Sequence, residues 1–242
     1  MSDIEYSFTI DGQQVRFTPG ETILQAALKA GIFIPHLCFH PEFRPHGSCK
    51  LCTVVVNGRT TAACTTRAMP GQDVYSDKPE LNSHRRLLLQ MLFVEGNHFC
   101  PGCEKSGNCQ LQALAYDLEM LNPHFAHFFP KRPVDASHPD AVLDLNRCIM
   151  CELCVRASRD VDGKNVFALA GRGLDSHLVV DSKSGKLGDS TFAATDKAAS
   201  VCPVGAILPK GKGFAVPIGE RVYDKESIRE KVVGLADTGA EP

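Results

Sequence analysis

Eleven cysteines among 242 residues are the side chains with most chemistry to offer, and they fall in three groups. Cys38, Cys49, Cys52 and Cys64 form the first, Cys100, Cys103 and Cys109 the second, and Cys148, Cys151, Cys154 and Cys202 the third. Every group contains a Cys-x2-Cys step, the spacing at which one loop presents two thiolates to a single metal centre. Four protein donors are the usual complement of a structural zinc or an iron-sulfur cluster. The second group, inside "NHFCPGCEKSGNC" at residues 97–109, is one donor short, and His98 stands two residues before Cys100. His98 is therefore the candidate fourth donor. The other eight histidines (His36, His40, His46, His84, His124, His127, His138 and His177) read as surface or loop imidazoles.

Metal binding is favoured over disulfides by composition. An odd number of thiols cannot pair completely within one chain, and the first thirty residues lack the basic-then-apolar order of an export signal. A cytoplasmic location, where thiols stay reduced, is expected. Net charge is -2 with Lys and Arg scattered, so no footprint for a nucleic acid or an anionic membrane is present. The richest apolar run, residues 87–94, is short and contains Gln90, which argues against membrane insertion. A length of 242 residues allows one large domain or two to three small ones, and hydrophobic content of 43% is that of an ordinary globular protein.

The elements that must position the first group are legible. Residues 7–10 and 15–18 read as strands joined around Asp11-Gly12, with a loop of two residues or more. Residues 19–31 read as Pro and Gly punctuation, then a helix with Ile23, Leu24, Ala27 and Leu28 on one face and Gly31 as its stop. "CTVVVNGRTTAAC" reads as a second hairpin turning at Asn57-Gly58. Hairpin, helix, hairpin is a small α+β unit, and "CFHPEFRPHGSCKLC" between helix and second hairpin is loop. Around the second group, a helix begins at Asn82 or Ser83, turns Leu88, Met91 and Leu92 to the core and stops at Gly96, while Cys109 leads into another helix. In the third group, three thiolates come from one loop and the first turn of a helix, and Cys202 must come from a distant segment. "NVFALAGRG" and "SHLVVD" between them read as strands and "TDKAASVC" as a helix.

Lys50, Lys105, Arg147 and Arg156 flank cluster cysteines and are either compensating charges or solvated surface. "HFAHFFPKRP" at residues 124–133 reads as a docking strip or as packing between domains, and residues 227–242 as a frayed tail following a docking helix. No G-x-G-x-x-G follows a strand, so no dinucleotide or flavin site is expected.

The spacing C-x10-C-x2-C-x11-C resembles the [2Fe-2S] module that opens the large iron-sulfur subunits of NADH dehydrogenases, whereas plant ferredoxin has a much shorter first gap. "CPGCEKSGNCQLQ" resembles the second cluster motif of those subunits, where histidine is the fourth ligand of a [4Fe-4S] cube. There the histidine stands four residues before the first cysteine; here it stands two. "RCIMCELCVR" with "CPVGAI" resembles the bacterial ferredoxin ligand set for a [4Fe-4S] cube. With "PHLC", "GSCKLCTVVVNG", "FVEGNHFC" and "PIGERVYD" added, the chain resembles the small iron-sulfur diaphorase subunit of soluble NAD-reducing [NiFe] hydrogenases.

That resemblance implies an α+β chain of three parts: a ferredoxin-like β-grasp [2Fe-2S] domain (1–78), a helical [4Fe-4S] domain with His and Cys ligands (79–135), and a bacterial-ferredoxin-like [4Fe-4S] domain with a tail (136–242). It implies one [2Fe-2S] cluster on Cys38, Cys49, Cys52 and Cys64. Two [4Fe-4S] clusters follow, on His98, Cys100, Cys103 and Cys109 and on Cys148, Cys151, Cys154 and Cys202. FMN and NAD would sit on a partner flavoprotein, and hydrogenase small and large subunits would be the other partners. No catalytic residue is implied in this chain, which would be the non-catalytic electron-transfer subunit of a hydrogen:NAD+ oxidoreductase. A formate dehydrogenase or a shortened NADH dehydrogenase complex could own the same subunit. The readings of another class are a zinc-stabilised interaction module and an enzyme using an open cluster corner in the second group, where a three-iron cluster is a further alternative.

Overall fold

Two Xaa-Gly turns organise the first sheet. The computed structural model describes residues 6–231. Strands β1 (Ser7–Ile10) and β2 (Gln13–Arg16) pair antiparallel across Asp11 and Gly12, whose φ of 50° and 82° are those of a two-residue hairpin turn. β2 thus begins two residues earlier than the sequence suggests, because the tight turn feeds Gln13 directly into pairing with Ile10. Helix α1 (Ile23–Lys29) is capped by Thr22, which accepts from the Gln25 N–H while the Gln25 side chain accepts from Thr22 N–H. It stops at Gly31, whose φ is 70°. Strands β3 (Thr53–Val56) and β4 (Arg59–Ala62) turn at Asn57-Gly58, and β5 (Asp73–Tyr75) slots between the hairpins, parallel to β1 and antiparallel to β3. The sheet order is β2-β1-β5-β3-β4. Phe8, Ile10, Val15, Val54 and Val74 alternate inward and meet Ile23, Leu24, Ala26 and Ala27 of α1 in one apolar core, as period-two strands against a helix face require.

The chain divides into two units. One comprises the described residues up to Leu88 with Leu114–Met120 and those from Glu226; the other comprises Leu89–Ala113 and Leu121–Lys225. Helices α2 (Pro79–Glu95) and α3 (Gln110–Asp117) each contribute to both. α2 starts at Pro79 rather than at Asn82 or Ser83; proline suits a first helical position, where no N–H is needed. Asn82 instead accepts from Arg85 and donates to Asp77. Its buried face also differs from expectation. Met91 is 53% exposed and Leu88 and Leu92 are half-buried, whereas Leu81, Arg85 and Leu89 in the first unit and Gln90 and Val94 in the second are buried. A buried arginine occupies the centre of the stripe, so the apolar residues alone mark the wrong face.

The second unit is built from shorter pieces. β6 (Val134–Asp135), β7 (Ala141–Asp144) and β10 (Ile207–Pro209) form a sheet in the order β10-β7-β6. Between them lie α4 (Leu153–Asp160), the expected strands β8 (Phe167–Ala170) and β9 (His177–Val180), which pair antiparallel, and the short helix α5 (Lys197–Ser200). Helix α6 (Val222–Lys225) follows. Phe125, Phe128 and Phe129 of residues 124–133 are exposed on this unit. The last part of the expected tail, residues 232–242, lies outside the described residues. Among the described residues no helix is long and apolar enough to cross a membrane.

Candidate metal centres

The β3–β4 hairpin builds half of the first site. Cys52 immediately precedes β3 and Cys64 lies just past β4, so the ladder that pairs Thr53 with Ala62 brings the two thiols to the hairpin's open end. There Ala63 N–H donates to Cys52 O at 3.0 Å. Cys38 and Cys49 come from the loop after α1. Gly47, with φ of 77°, lets this loop pass against Thr65: a Cβ at position 47 would lie 3.0 Å from Thr65 Cγ2 and 4.0 Å from Cys64 Sγ. Cys49 N–H points at Cys38 Sγ at 3.5 Å. Cys38, Cys52 and Cys64 are fully buried, and the thiols pair, Cys38 with Cys49 and Cys52 with Cys64. Hydrogen bonding from the Cys49 thiol, with help from Ser48, pulls the Cys38 thiol down to about 4, while the same bond pushes Cys49 up. Likewise, the Cys52 thiol holds Cys64 down and is itself raised. The two pairs also act on one another, Cys38 on Cys52 and Cys64, so the four sulfurs stand near one another, with the Cys49 N–H aimed at a sulfur.

The second site spans the gap between α2 and α3. His98, Cys100, Cys103 and Cys109 line one cavity of about 340 Å³, together with Phe93, Gly205 and Arg147. The His98 ring packs edge-on against Phe93, with centroids 5.5 Å apart. Gly96 is obligatory here, since a Cβ would lie 2.7 Å from His98 Nε2 and 2.9 Å from Asn146 O. His98 Nε2 is buried and has no hydrogen-bond partner. Such an orphaned nitrogen is costly unless something absent from the protein chain takes its lone pair. Burial, with Arg132 and Arg147 nearby, drives the His98 imidazole down to about 4, so the ring is neutral and its lone pair available at physiological pH. Burial pushes Cys109 up to about 12 and raises Cys100. Thiols that resist ionisation among protein groups alone become thiolates when a cation binds. At Gly205 a Cβ would lie 3.1 Å from Cys103 Sγ, so the backbone is pressed against the sulfur.

The third site depends on the β7–β10 ladder, which brings residues 144–148 beside residues 202–206. Asp144 N–H donates to Ala206 O at 2.7 Å. Cys154 lies in the first turn of α4, and α4 packs on α5, just ahead of Cys202. Met150 and Glu152 have φ of 51° and 59°, which curls the loop around a cavity of about 360 Å³ lined by Cys148, Cys151, Cys154 and Cys202. Met150 N–H points at Cys148 Sγ at 3.4 Å. Burial lifts Cys148 to about 11 and Cys154 well above its ordinary value.

Each sequence-nominated donor thus sits with the rest of its group, and none of the eleven cysteines is in a disulfide. Among the described residues no three His, Cys, Asp or Glu side chains are set to hold a single metal ion. In the second and third sites the donors line one cavity each. Of the four flanking cations, Arg147 lines the second site and pairs with Glu104 at 2.6 Å and Asp144 at 2.9 Å. Arg156, 4% exposed, donates to Cys151 O at 3.1 Å in the third. Lys50 is on the surface.

Sequence reasoning missed the residues that fasten the loops. Asn97 N–H donates to Asn146 O at 2.8 Å, its side chain donates to Asn146 Oδ1 at 2.7 Å, and Gln110 N–H donates to Pro203 O at 2.9 Å. Residues adjacent to His98 and Cys109 are thereby tied to segments leading to Cys148 and Cys202. Residues 217–224 close over the second loop: Tyr223 N–H donates to Gly107 O and Val222 N–H to Asn108 Oδ1, both at 2.9 Å. No spacing rule marks an asparagine or a main-chain carbonyl for this work.

Three family models match in succession: a 2Fe-2S iron-sulfur cluster binding domain over residues 5–79, the NADH-ubiquinone oxidoreductase-G iron-sulfur binding region over 85–124, and a 4Fe-4S single cluster domain over 142–208. The NAD-reducing hydrogenase HoxS subunit gamma of Cupriavidus necator is 39% identical over 93% of this chain and 96% of its own length. A crystal structure of an NAD+-reducing [NiFe]-hydrogenase in the H2-reduced state contains a chain 54% identical to this one. It superposes with a TM-score of 0.90 over 94% of this chain and 98% of that one. The mitochondrial NADH-ubiquinone oxidoreductase 78 kDa subunit of Candida albicans is 31% identical over 87% of this chain, but over only 29% of its own length.

Proposed function

Because the chain belongs to the family of the gamma subunits of NAD-reducing hydrogenases, we propose that it conducts electrons between a flavoprotein subunit handling NAD(H) and the subunits that handle hydrogen. It is an electron-transfer subunit of an oxidoreductase complex. The single observation that carries the reading is the arrangement of twelve donors in three buried or half-buried groups, one with an orphaned imidazole nitrogen.

We assign Cys38, Cys49, Cys52 and Cys64 to a [2Fe-2S] cluster. His98, Cys100, Cys103 and Cys109 are assigned to one [4Fe-4S] cluster, and Cys148, Cys151, Cys154 and Cys202 to another. When bound, these groups supply one-electron carriage at fixed positions. The protein's part is to hold thiolates and one neutral imidazole rigidly, to exclude water and to offset negative charge, which keeps reorganisation on electron uptake small. Gly47, Gly96 and Gly205 let backbone come close to donor side chains, while Arg147 and Arg156 stand beside the second and third groups. The partners proposed are an FMN- and NAD-binding flavoprotein and the small and large hydrogenase subunits, with FMN and NAD held only there. The exposed Phe125, Phe128 and Phe129 are proposed to be covered in that assembly. A cytoplasmic assembly is proposed, since a reducing compartment keeps eleven thiols available to iron.

The test is a reconstituted complex with and without this chain. Omission should abolish hydrogen-dependent NAD+ reduction while hydrogen-dependent dye reduction and NADH-dependent dye reduction persist in the separated halves. Hydrogen-dependent NAD+ reduction that survives omission contradicts the proposal.

A further inference from the structure

Arg85 is 2% exposed, and its guanidinium is surrounded by acceptors. Nε donates to Leu51 O at 2.9 Å, Nη2 to Thr53 O at 2.8 Å, and Nη1 to Ser76 O and Asn82 Oδ1, both at 2.8 Å. Three of these four acceptors are main-chain carbonyls, and none is a carboxylate. Among the described residues no carboxylate forms an ion pair with Arg85. A buried cation with no carboxylate in direct contact is expensive, and neutral carbonyls return part of that cost at most. Burial lowers the Arg85 guanidinium to about 10, with Asp77 and then Cys52 pulling the other way, so it stays charged at neutral pH.

The location of the cation is specific. Leu51 and Thr53 flank Cys52, so the guanidinium grips the main chain on both sides of a donor that is itself 1% exposed. Four thiolates around a [2Fe-2S] core leave that centre net negative in both oxidation states, and more so after an electron is taken up. Asp77 reaches the guanidinium only through Asn82, which accepts from Arg85 and donates to Asp77, so the negative centre beside Cys52 is a charge the cation can answer. We propose that Arg85 is the positioning and charge-compensating residue of the first site, fixing the Cys52 main chain and raising the reduction potential of the cluster held there.

This assignment rests on the [2Fe-2S] reading of the site, and the test separates the two. The readout is the midpoint potential of the [2Fe-2S] signal, followed by electron paramagnetic resonance during a redox titration of the assembled complex. Arg85→Met removes the charge. Ser76→Asp leaves Arg85 in place but sets a carboxylate where Ser76 Oγ now lies, 3.5 Å from Nη2. Both should shift the oxidised-to-reduced ratio at fixed ambient potential about tenfold toward oxidised, a fall of about 59 mV for one electron. Arg85→Lys keeps the charge and loses the fork that matches the carbonyls; its potential should stay near the wild-type value while its thermal stability falls. An intact [2Fe-2S] signal with unmoved potential in Arg85→Met and Ser76→Asp overturns the assignment. Should Arg85→Met fail to hold the centre, an unmoved potential in Ser76→Asp overturns it alone. Absence of any [2Fe-2S] signal from the wild-type complex instead defeats the reading of the site itself.

Discussion

His98→Ala is expected to abolish the paramagnetic signal of one [4Fe-4S] centre, or convert it to a three-iron signal, and to leave the [2Fe-2S] signal intact. Nε2 is buried without a partner, the ring is held by Phe93 and Gly96, and burial keeps it neutral, so its lone pair has no use within the chain. Alanine removes a donor and leaves three cysteines, which cannot complete a four-donor set. His98→Cys should restore the centre with a lower potential, because thiolate adds the negative charge that imidazole lacks. Electron paramagnetic resonance of the reduced variants, with iron content, decides between the alternatives. An unchanged signal in His98→Ala would favour a cube with an open corner, and with it an enzyme acting through that corner.

Stripping iron and sulfide should unfold the second unit and spare most of the first. The first unit has its own apolar core between α1 and a five-stranded sheet, in which Cys52 and Cys64 are only two of the buried members. The second has strands of two to four residues, a four-residue α5 and two cavities of about 340 and 360 Å³ whose walls are the donors. In small domains of this kind metal-binding energy is folding energy, on the order of 10 kcal/mol per structural site. Two such sites together exceed the roughly 5–15 kcal/mol stability of an ordinary domain. Hydrogen exchange on the loaded and stripped protein should show protection lost across α4, β7 and β10 but retained in β1, β3 and β5. Protection kept in β7 and β10 without iron would contradict this account.

The grouping of the cysteines and the local elements around them were legible in the sequence because each depends on short-range rules. Asp11-Gly12 and Asn57-Gly58 demand positive φ, Gly31 ends α1, and Cys-x2-Cys fixes two sulfurs on one loop. Long-range pairings were not legible. β7 meets β10 across more than sixty residues, and no pattern in "AVLD" or "ILP" specifies that partner, yet this ladder is what delivers Cys202 to Cys148. Nor could periodicity find the buried face of α2, where Arg85 fills the place of an apolar residue. The signal that would have found it is physical: an arginine within an apolar helical stripe must meet either a counter-charge or several carbonyls.

The central claim is that iron and inorganic sulfide, held by twelve side chains, fill all three sites. It is tested most directly by metal and acid-labile sulfide analysis of anaerobically purified protein. About ten irons and about ten sulfides per chain, with negligible zinc, are predicted from one two-iron and two four-iron centres. Stoichiometric zinc without labile sulfide, in colourless protein that gives no paramagnetic signal on reduction, would contradict it.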